Sequence, residues 1–133
     1  MKKILITGST GQLGNSFGKI FKSRYDLVST SRTKPNKNTN YFLDITNSLL
    51  VKDMVSAISP DIIINLAALT NVDLCESNPD LAHAINFQGV KNLVNVFKGP
   101  IIHLSTDYVF DGKLGRYKAV SYTHLTLPTS DLV

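Results

Sequence analysis

Cysteine is nearly absent: Cys75 stands alone in 133 residues, which excludes an internal disulfide and fits a reducing, cytoplasmic setting. Histidine is scarce too. His83, His103 and His124 lie far apart, and with one thiol they do not make the ligand spacing of a metal site. No apolar run approaches the roughly 20 residues that a membrane-spanning helix needs, so no membrane partner is expected. The short run after Lys2-Lys3 reads as a first strand, not a secretory leader. Clustered charge is also missing. The formal net charge is +4 and the pI near 9.2, but Lys and Arg are scattered, with no basic helix face and no interleaved aromatics. That argues against nucleic acid and for a small anionic ligand. There is no internal repeat and no low-complexity segment. The length suits one domain, able to bury about two thirds of its unfolded surface.

What the chain does have begins at Thr7 to Gly14, TGSTGQLG, directly after the apolar run Ile4-Leu5-Ile6. Three glycines between a strand-like and a helix-like run mark the place where an open α/β sheet holds a pyrophosphate. Gly8 lets the chain leave the strand in a tight turn. Gly11 lets a phosphate approach the backbone, and Gly14 lets the helix lie close against the sheet. The helix N-terminus then offers unpaired N–H groups to the anion. The spacing Gly-x-x-Gly-x-x-Gly is one residue wider at its start than the Gly-x-Gly-x-x-Gly dinucleotide fingerprint.

Periodicity supplies the remaining elements. Strand one is Lys2 to Ile6, and Leu13, Phe17, Ile20 and Phe21 give the stripe of a helix ending near Ser23. Asp26 to Thr30 is strand two, followed by a polar loop over 31–40. Tyr41 to Leu43 is a short strand three, stopping at Asp44. Asn47 or Thr46 caps a helix carrying Val51, Val55 and Ile58, which ends at Ser59-Pro60. Ile62 to Ile64 is apolar on both faces, as a central parallel strand is. Asn78 or Ser77 caps a long helix with Pro79 in its first turn and a core face of Val90, Leu93, Val94 and Phe97, closed by Gly99-Pro100. Ile101 to Leu104 is strand five. The alternation predicts an α/β, Rossmann-like, doubly wound parallel sheet of order 3-2-1-4-5 with ligands at the carboxyl ends of its strands.

Candidate ligand residues fall at those ends. Arg32 follows strand two, where an NAD site has an acid. It can pair with a 2′-phosphate, so NADPH is favoured and NADH is the alternative; the competing reading is a solvated basic loop. Asp44 suits either an adenine amino group or a helix cap. Ala67-Ala68 are small, as a backbone beside a flat cofactor requires, and Asn65 reads as a satisfied turn residue. Ser105 to Gly112, STDYVFDG, is a dense polar and aromatic run after a buried strand, more like a site than a turn. His103 reads as a packed, hydrogen-bonded core residue, and His83 has no evident partner.

With these residues in hand, the chain resembles the extended short-chain dehydrogenase/reductases, and within them the dTDP-4-dehydrorhamnose reductases. The resemblance rests on ILITGSTGQLG, PDIIINLAALTNVDLCESNP with Asp73 and Glu76, HAINFQGVKNLV and STDYVFDG, over roughly residues 1–118. Leu66 and Leu69 depart from the usual small or aromatic residues. The resemblance implies that Gly11, Gln12 and Leu13 bracket the pyrophosphate, Asp44 and Ile45 flank the adenine, and Ala67, Ala68 and Leu69 run beside the nicotinamide ribose. Thr106 would be the hydroxyl of a Thr/Tyr/Lys catalytic set, with Thr106 and Asp107 touching the sugar. Asn86 matches the helix Asn behind the active site. The implied activity is NADPH-dependent reduction of dTDP-4-dehydrorhamnose, a dTDP-linked 4-keto-6-deoxy sugar, to dTDP-L-rhamnose in nucleotide-sugar and cell-surface polysaccharide biosynthesis. No metal ligand is assigned, and a homodimer is the assembly entertained for a full-length parent. The alternatives are a non-catalytic dinucleotide-binding regulator such as the β subunit of methionine adenosyltransferase, or a nucleotide-sugar epimerase or dehydratase.

The Tyr-x-x-x-Lys pair that such a reductase needs is not in this sequence. Tyr108, Tyr117 and Tyr122 are followed four residues on by Gly112, Ser121 and Thr126. Composition also changes over 119–133, which holds no Lys, Arg, Asn, Ile or Phe. VSYTHLTLPT reads as translated transposon-end adapter sequence joined to a broken reading frame, so the expectation is a truncated dinucleotide-binding domain over 1–118 with a non-native tail, and His124 has no role. Resequencing the source locus should replace Val120 onward with a helix bearing Tyr-x-x-x-Lys and a sugar-binding domain. Recovery of the same codons from intact genomic DNA would refute the expectation.

Overall fold

The computed structural model describes residues 1–33, 41–106, 112, 113, 115, 116 and 118. Five parallel strands form one sheet of order β3-β2-β1-β4-β5. They are β1 (Lys3–Thr7), β2 (Asp26–Ser31), β3 (Tyr41–Phe42), β4 (Ile62–Asn65) and β5 (Ile101–His103). The expected order holds, and boundaries move by a residue or so. Register aligns Leu5 with Val28 and Ile63, so β1 lies at the centre of the sheet.

Alternation along the strands divides the core in two. Leu5, Val28 and Ile63 point to one face, where Val51 and Val55 of helix α2 (Ser48–Ile58) and Leu93 of helix α5 (Gly89–Val96) close over them together with Leu43 and Ile45. Ile4, Ile6 and Ile64 point to the other face, against Phe17 of helix α1 (Gln12–Phe21) and Tyr25. Leu5, Ile63 and Leu93 are fully buried, each stabilising the fold by roughly 1.5–3 kcal/mol. Helices on both faces of a parallel sheet make this a Rossmann-like, doubly wound architecture.

The helices follow local chemistry. Asn47, not Thr46, caps α2, accepting from the Leu49 and Leu50 amides at 3.1 Å each. Ser59 ends that helix in a left-handed conformation, φ 48°, its N–H returning to the Val55 carbonyl. The apolar stripe of α1 is less buried than its spacing predicts. Gly14 and Phe17 meet the fold, while Leu13 and Ile20 are 50% and 62% exposed. The stripe lies along one edge of the contact, where Phe17, Phe21 and Tyr25 stack ring to ring at 5.2 and 5.9 Å.

After β4 the structure differs more from expectation. A short helix α3 (Val72–Ser77), capped by Asn71, precedes the long one. Asn78 caps α4 (Pro79–His83), which runs through a wider π turn (Ala84–Gln88) into α5. The core face beyond the turn holds Gly89, Asn92 and Leu93, and Val94 faces out. Asn92 is buried because backbone carbonyls satisfy its amide, and a search for apolar residues passes over such a position. Among the described residues β5 is the last strand of the sheet, and His103 on it is exposed and not a core residue. Among the described residues, no helix is long and apolar enough to cross a membrane.

Two glycines of one helix should respond to substitution with opposite sign. A Cβ on Gly14 would stand 2.4 Å from the Ser9 Cα, whereas one on Gly18 meets nothing within 4 Å. Gly14→Ala should destabilise by about 1–3 kcal/mol. Gly18→Ala should stabilise by about 0.5–1 kcal/mol through helix propensity. Urea unfolding midpoints of the two variants will show the opposed shifts.

Candidate functional site

The site begins where β1 and β4 leave the sheet side by side. Gly8 has φ 65°, and a Cβ there would lie 2.6 Å from the Ala67 nitrogen and 2.7 Å from the Leu66 carbonyl carbon. Only glycine fits this crossing, for both reasons. The turn is pinned from outside by the Ser9 N–H to Thr30 carbonyl bond (3.0 Å) and from inside by Gly11 N–H to the Gly8 carbonyl (3.1 Å). Gly14 has a different role from the expected one. It packs on the backbone of Ser9 in the turn itself, not on the sheet.

Below the turn a polar ladder joins three strand ends. The Thr7 hydroxyl donates to Asn65 Oδ1 and lies 3.4 Å from the Ala67 N–H that donates to it, while Asn65 Nδ2 reaches His103 Nδ1 at 3.0 Å. Asn65 is therefore a buried strand residue satisfied across the sheet, not a turn residue. Thr7 and Asn65 are each 1% exposed, so these bonds offset the cost of their burial.

Above the turn lies a groove of about 280 Å³. Its floor is Gly8, Thr10 and Gly11; one end is Ser31, Arg32 and Thr33; one wall is Leu43, Asp44 and Ile45; the other is Leu66 to Leu69 with Ile85. Gly11 begins α1 with no side-chain cap, and a Cβ on it would have only the Gly8 carbonyl oxygen at 3.5 Å. An uncapped ten-residue helix facing open space is the cradle a phosphate group fits. Ser31 Oγ bonds Thr33 at both its carbonyl (3.2 Å) and its hydroxyl (2.9 Å), bracketing Arg32. Arg32 makes no ion pair with another described residue, and its guanidinium offers a planar fork of donors to an anion.

Each wall is clasped from the long helix. Asn86, in the π turn, accepts from the Leu69 N–H (2.8 Å) and donates to the Leu69 carbonyl (3.0 Å), pairing with that residue as a neighbouring strand would. The Cys75 thiol reaches the same carbonyl at 3.5 Å. On the opposite wall, Asp44 Oδ1 accepts from the Thr46 N–H and hydroxyl at 2.9 and 2.7 Å, so it does not cap α2.

Of the residues singled out from sequence, Gly8, Gly11, Arg32, Asp44, Ile45, Ala67, Ala68 and Leu69 line one groove. Gln12, Leu13 and Gly14 sit on the first turn of α1 behind it, and Thr106 lies beyond β5, outside the lining but at the same end of the sheet. Asp107 and 119–133 lie outside the described residues. Thr10, Ser31, Thr33, Leu43, Leu66 and Ile85 were not foreseen; all but Ile85 are sequence neighbours of predicted residues, a signal available to a wider reading. Among the described residues no cluster of His, Cys, Asp and Glu is disposed to hold a metal. A broader depression of about 500 Å³, lined by Met1, Lys22, Tyr25, Asp26 and Leu27, lies at the start of β2, away from the glycine turn.

A family model described as the RmlD substrate binding domain matches residues 1–130. The chain belongs to that family. Among RmlD-family relatives, the dTDP-4-dehydrorhamnose reductase of Aggregatibacter actinomycetemcomitans is 38% identical over 130 residues, 93% of this chain and 42% of the relative. A hypothetical dTDP-4-dehydrorhamnose reductase from Sulfolobus tokodaii superposes with TM-score 0.82 at 38% identity, covering 88% of this chain and 44% of that one. The dTDP-4-dehydrorhamnose reductase of Bacillus anthracis, solved in complex with NADP, gives 0.71 at 35% identity over 84% and 39%. The chain thus spans about two fifths of the length of these relatives.

If the Asn86 clasp holds the wall, Asn86→Ala should raise the exchange rate of the Leu69 amide by about tenfold or more, the worth of a lost hydrogen bond. The Leu5 and Ile63 amides in the sheet should stay protected. Hydrogen exchange read by NMR will check both.

Proposed function

We propose that these residues form the cofactor-binding part of an NADPH-dependent reductase that converts dTDP-4-dehydrorhamnose to dTDP-L-rhamnose. The observation that carries the cofactor is Arg32, unpaired among the described residues and bracketed by Ser31 and Thr33 at one end of the groove. A cation there attracts a 2′-phosphate, whereas the acid of an NAD site would repel it. The NADP complex of the Bacillus relative supports the same choice.

Gly8, Gly11 and the α1 start at Gln12, Leu13 and Gly14 hold the pyrophosphate on backbone amides and the helix dipole. Asp44 and Ile45 take the adenine, and Ala67, Ala68 and Leu69 the nicotinamide ribose. Bound here, the cofactor supplies a hydride for the C4 carbonyl of the sugar. Thr106 orients that carbonyl oxygen, and Asp107 contacts the sugar. Proton delivery to the developing alkoxide falls to a tyrosine of a Tyr-x-x-x-Lys pair, which these 133 residues do not contain. A positioned acid is worth about 10²- to 10⁴-fold in rate, so this chain binds cofactor without appreciable turnover. A second reading is a non-catalytic dinucleotide-binding regulator, supported by 35% identity over 92% of this chain to the methionine adenosyltransferase 2 subunit beta of Xenopus laevis. Recovery of Tyr-x-x-x-Lys in the genomic reading frame decides for the reductase.

Fluorescence titration of the 133-residue chain should show NADPH binding at least about tenfold more tightly than NADH, as a charge-assisted contact gives. Arg32→Ala should abolish the preference and leave NADH affinity unchanged. Equal affinities in the unaltered chain refute the assignment of Arg32.

A further inference from the structure

The long helix touches the Asp44 wall at a point that none of the functional assignments uses. Asn92 is 4% exposed, and its Nδ2 donates to the carbonyls of Ile45 at 2.9 Å and Thr46 at 3.2 Å. Its Oδ1 accepts from Gln88 Nε2 at 3.0 Å. The amide orientation follows from chemistry: two carbonyls can only accept, so the nitrogen must face them. One turn earlier, Gly89 leaves room for the Ile45 side chain, since a Cβ there would stand 2.6 Å from Ile45 Cδ1. The helix therefore grips Ile45 by both its side chain and its carbonyl.

The gripped segment carries the acid of the groove. Asp44 Oδ1 is bound to Thr46, and Thr46 is the residue whose carbonyl Asn92 holds. Oδ2 has no hydrogen bond with another described residue, and Asp44 lines the groove. We infer that Asn92, oriented by Gln88, is a positioning residue that aims the Asp44 carboxylate and so sets base recognition at that end of the groove. This inference rests on the nucleotide-binding reading above. A fixed carboxylate accepts a hydrogen bond from the exocyclic amino group of adenine and repels the carbonyl that hypoxanthine carries in its place.

The test measures affinity of the 133-residue chain for NADPH, for NADH and for the hypoxanthine analogue of NADPH. The unaltered chain should prefer NADPH over the hypoxanthine analogue by about tenfold. Asn92→Asp keeps the shape and the Gln88 contact but turns an oxygen toward two carbonyls. In that variant the base preference should fall below about twofold, while NADPH remains favoured over NADH through Arg32. A merely structural residue would weaken all three ligands together and leave their ratios unchanged; that outcome overturns the inference, as does an unchanged base preference. If Asn92→Asp does not fold, Gln88→Ala, which removes only the orienting donor, should lower the same ratio. An unchanged ratio there likewise overturns the inference. An unaltered chain that binds none of the three refutes the nucleotide-binding reading and the inference with it. One that prefers NADPH to NADH but ignores the base refutes the inference alone.

Discussion

The rest of the structure depends on one close approach, the crossing of the β1 and β4 exits at Gly8. No side chain fits between Gly8 and the Leu66–Ala67 backbone, and the positive φ turns the chain away from the sheet at that point. Because the two exits touch, the glycine turn and the 66–69 segment face each other across a groove instead of spreading apart. The Thr7–Asn65–His103 ladder holds the crossing from below by tying the ends of β1, β4 and β5 together. Two of its members are buried polar groups. They persist because each is paired, and removing the Thr7 hydroxyl would leave the Asn65 Oδ1 acceptor without its bond in the sheet.

Around that crossing, a single helical stretch serves as the back of the site. Asn86 in the π turn holds one wall at Leu69, and Asn92 in α5 holds the other at Ile45 and Thr46. Both use side-chain amides to complete backbone groups that have no strand or helix partner of their own. The same helix buries Leu93 in the core, so one helical stretch both packs the fold and carries the amides that hold the two walls. Among the described residues that line it, Arg32 is the one cation and Asp44 the one anion. This polarity suits a ligand with a phosphate at one point and hydrogen-bond donors at another better than a uniformly anionic one.

Much of this was legible in the sequence because local chemistry alone demands it. Gly8 followed from the need for a tight exit, the sheet order from alternating strands and helices with right-handed crossovers, and the strand-end positions of Arg32, Asp44 and Ala67 from parallel topology. The α2 cap narrowed to Asn47 from two candidates. Elsewhere the sequence misled. Leu13, Ile20 and Val94 follow the apolar period yet face outward, and His103 is exposed on the last described strand. Periodicity identifies which residues share a face, but not how far a neighbouring element extends to cover them.

What the sequence determined by itself was the architecture and the approximate location of the site, since both depend on backbone conformation, hydrophobic period and the chemistry of residues near each other in the chain. The tertiary structure alone decided which polar side chains are buried and to what they bond. Composition and period do not tell buried Asn65 and Asn92, or exposed Asn86, from asparagines that bond only to water, and only the resemblance marks Asn86. Each acquires its role from partners 17 to 58 residues away. An amide side chain is polar wherever it stands, and only the folded chain brings it to the backbone group that satisfies it.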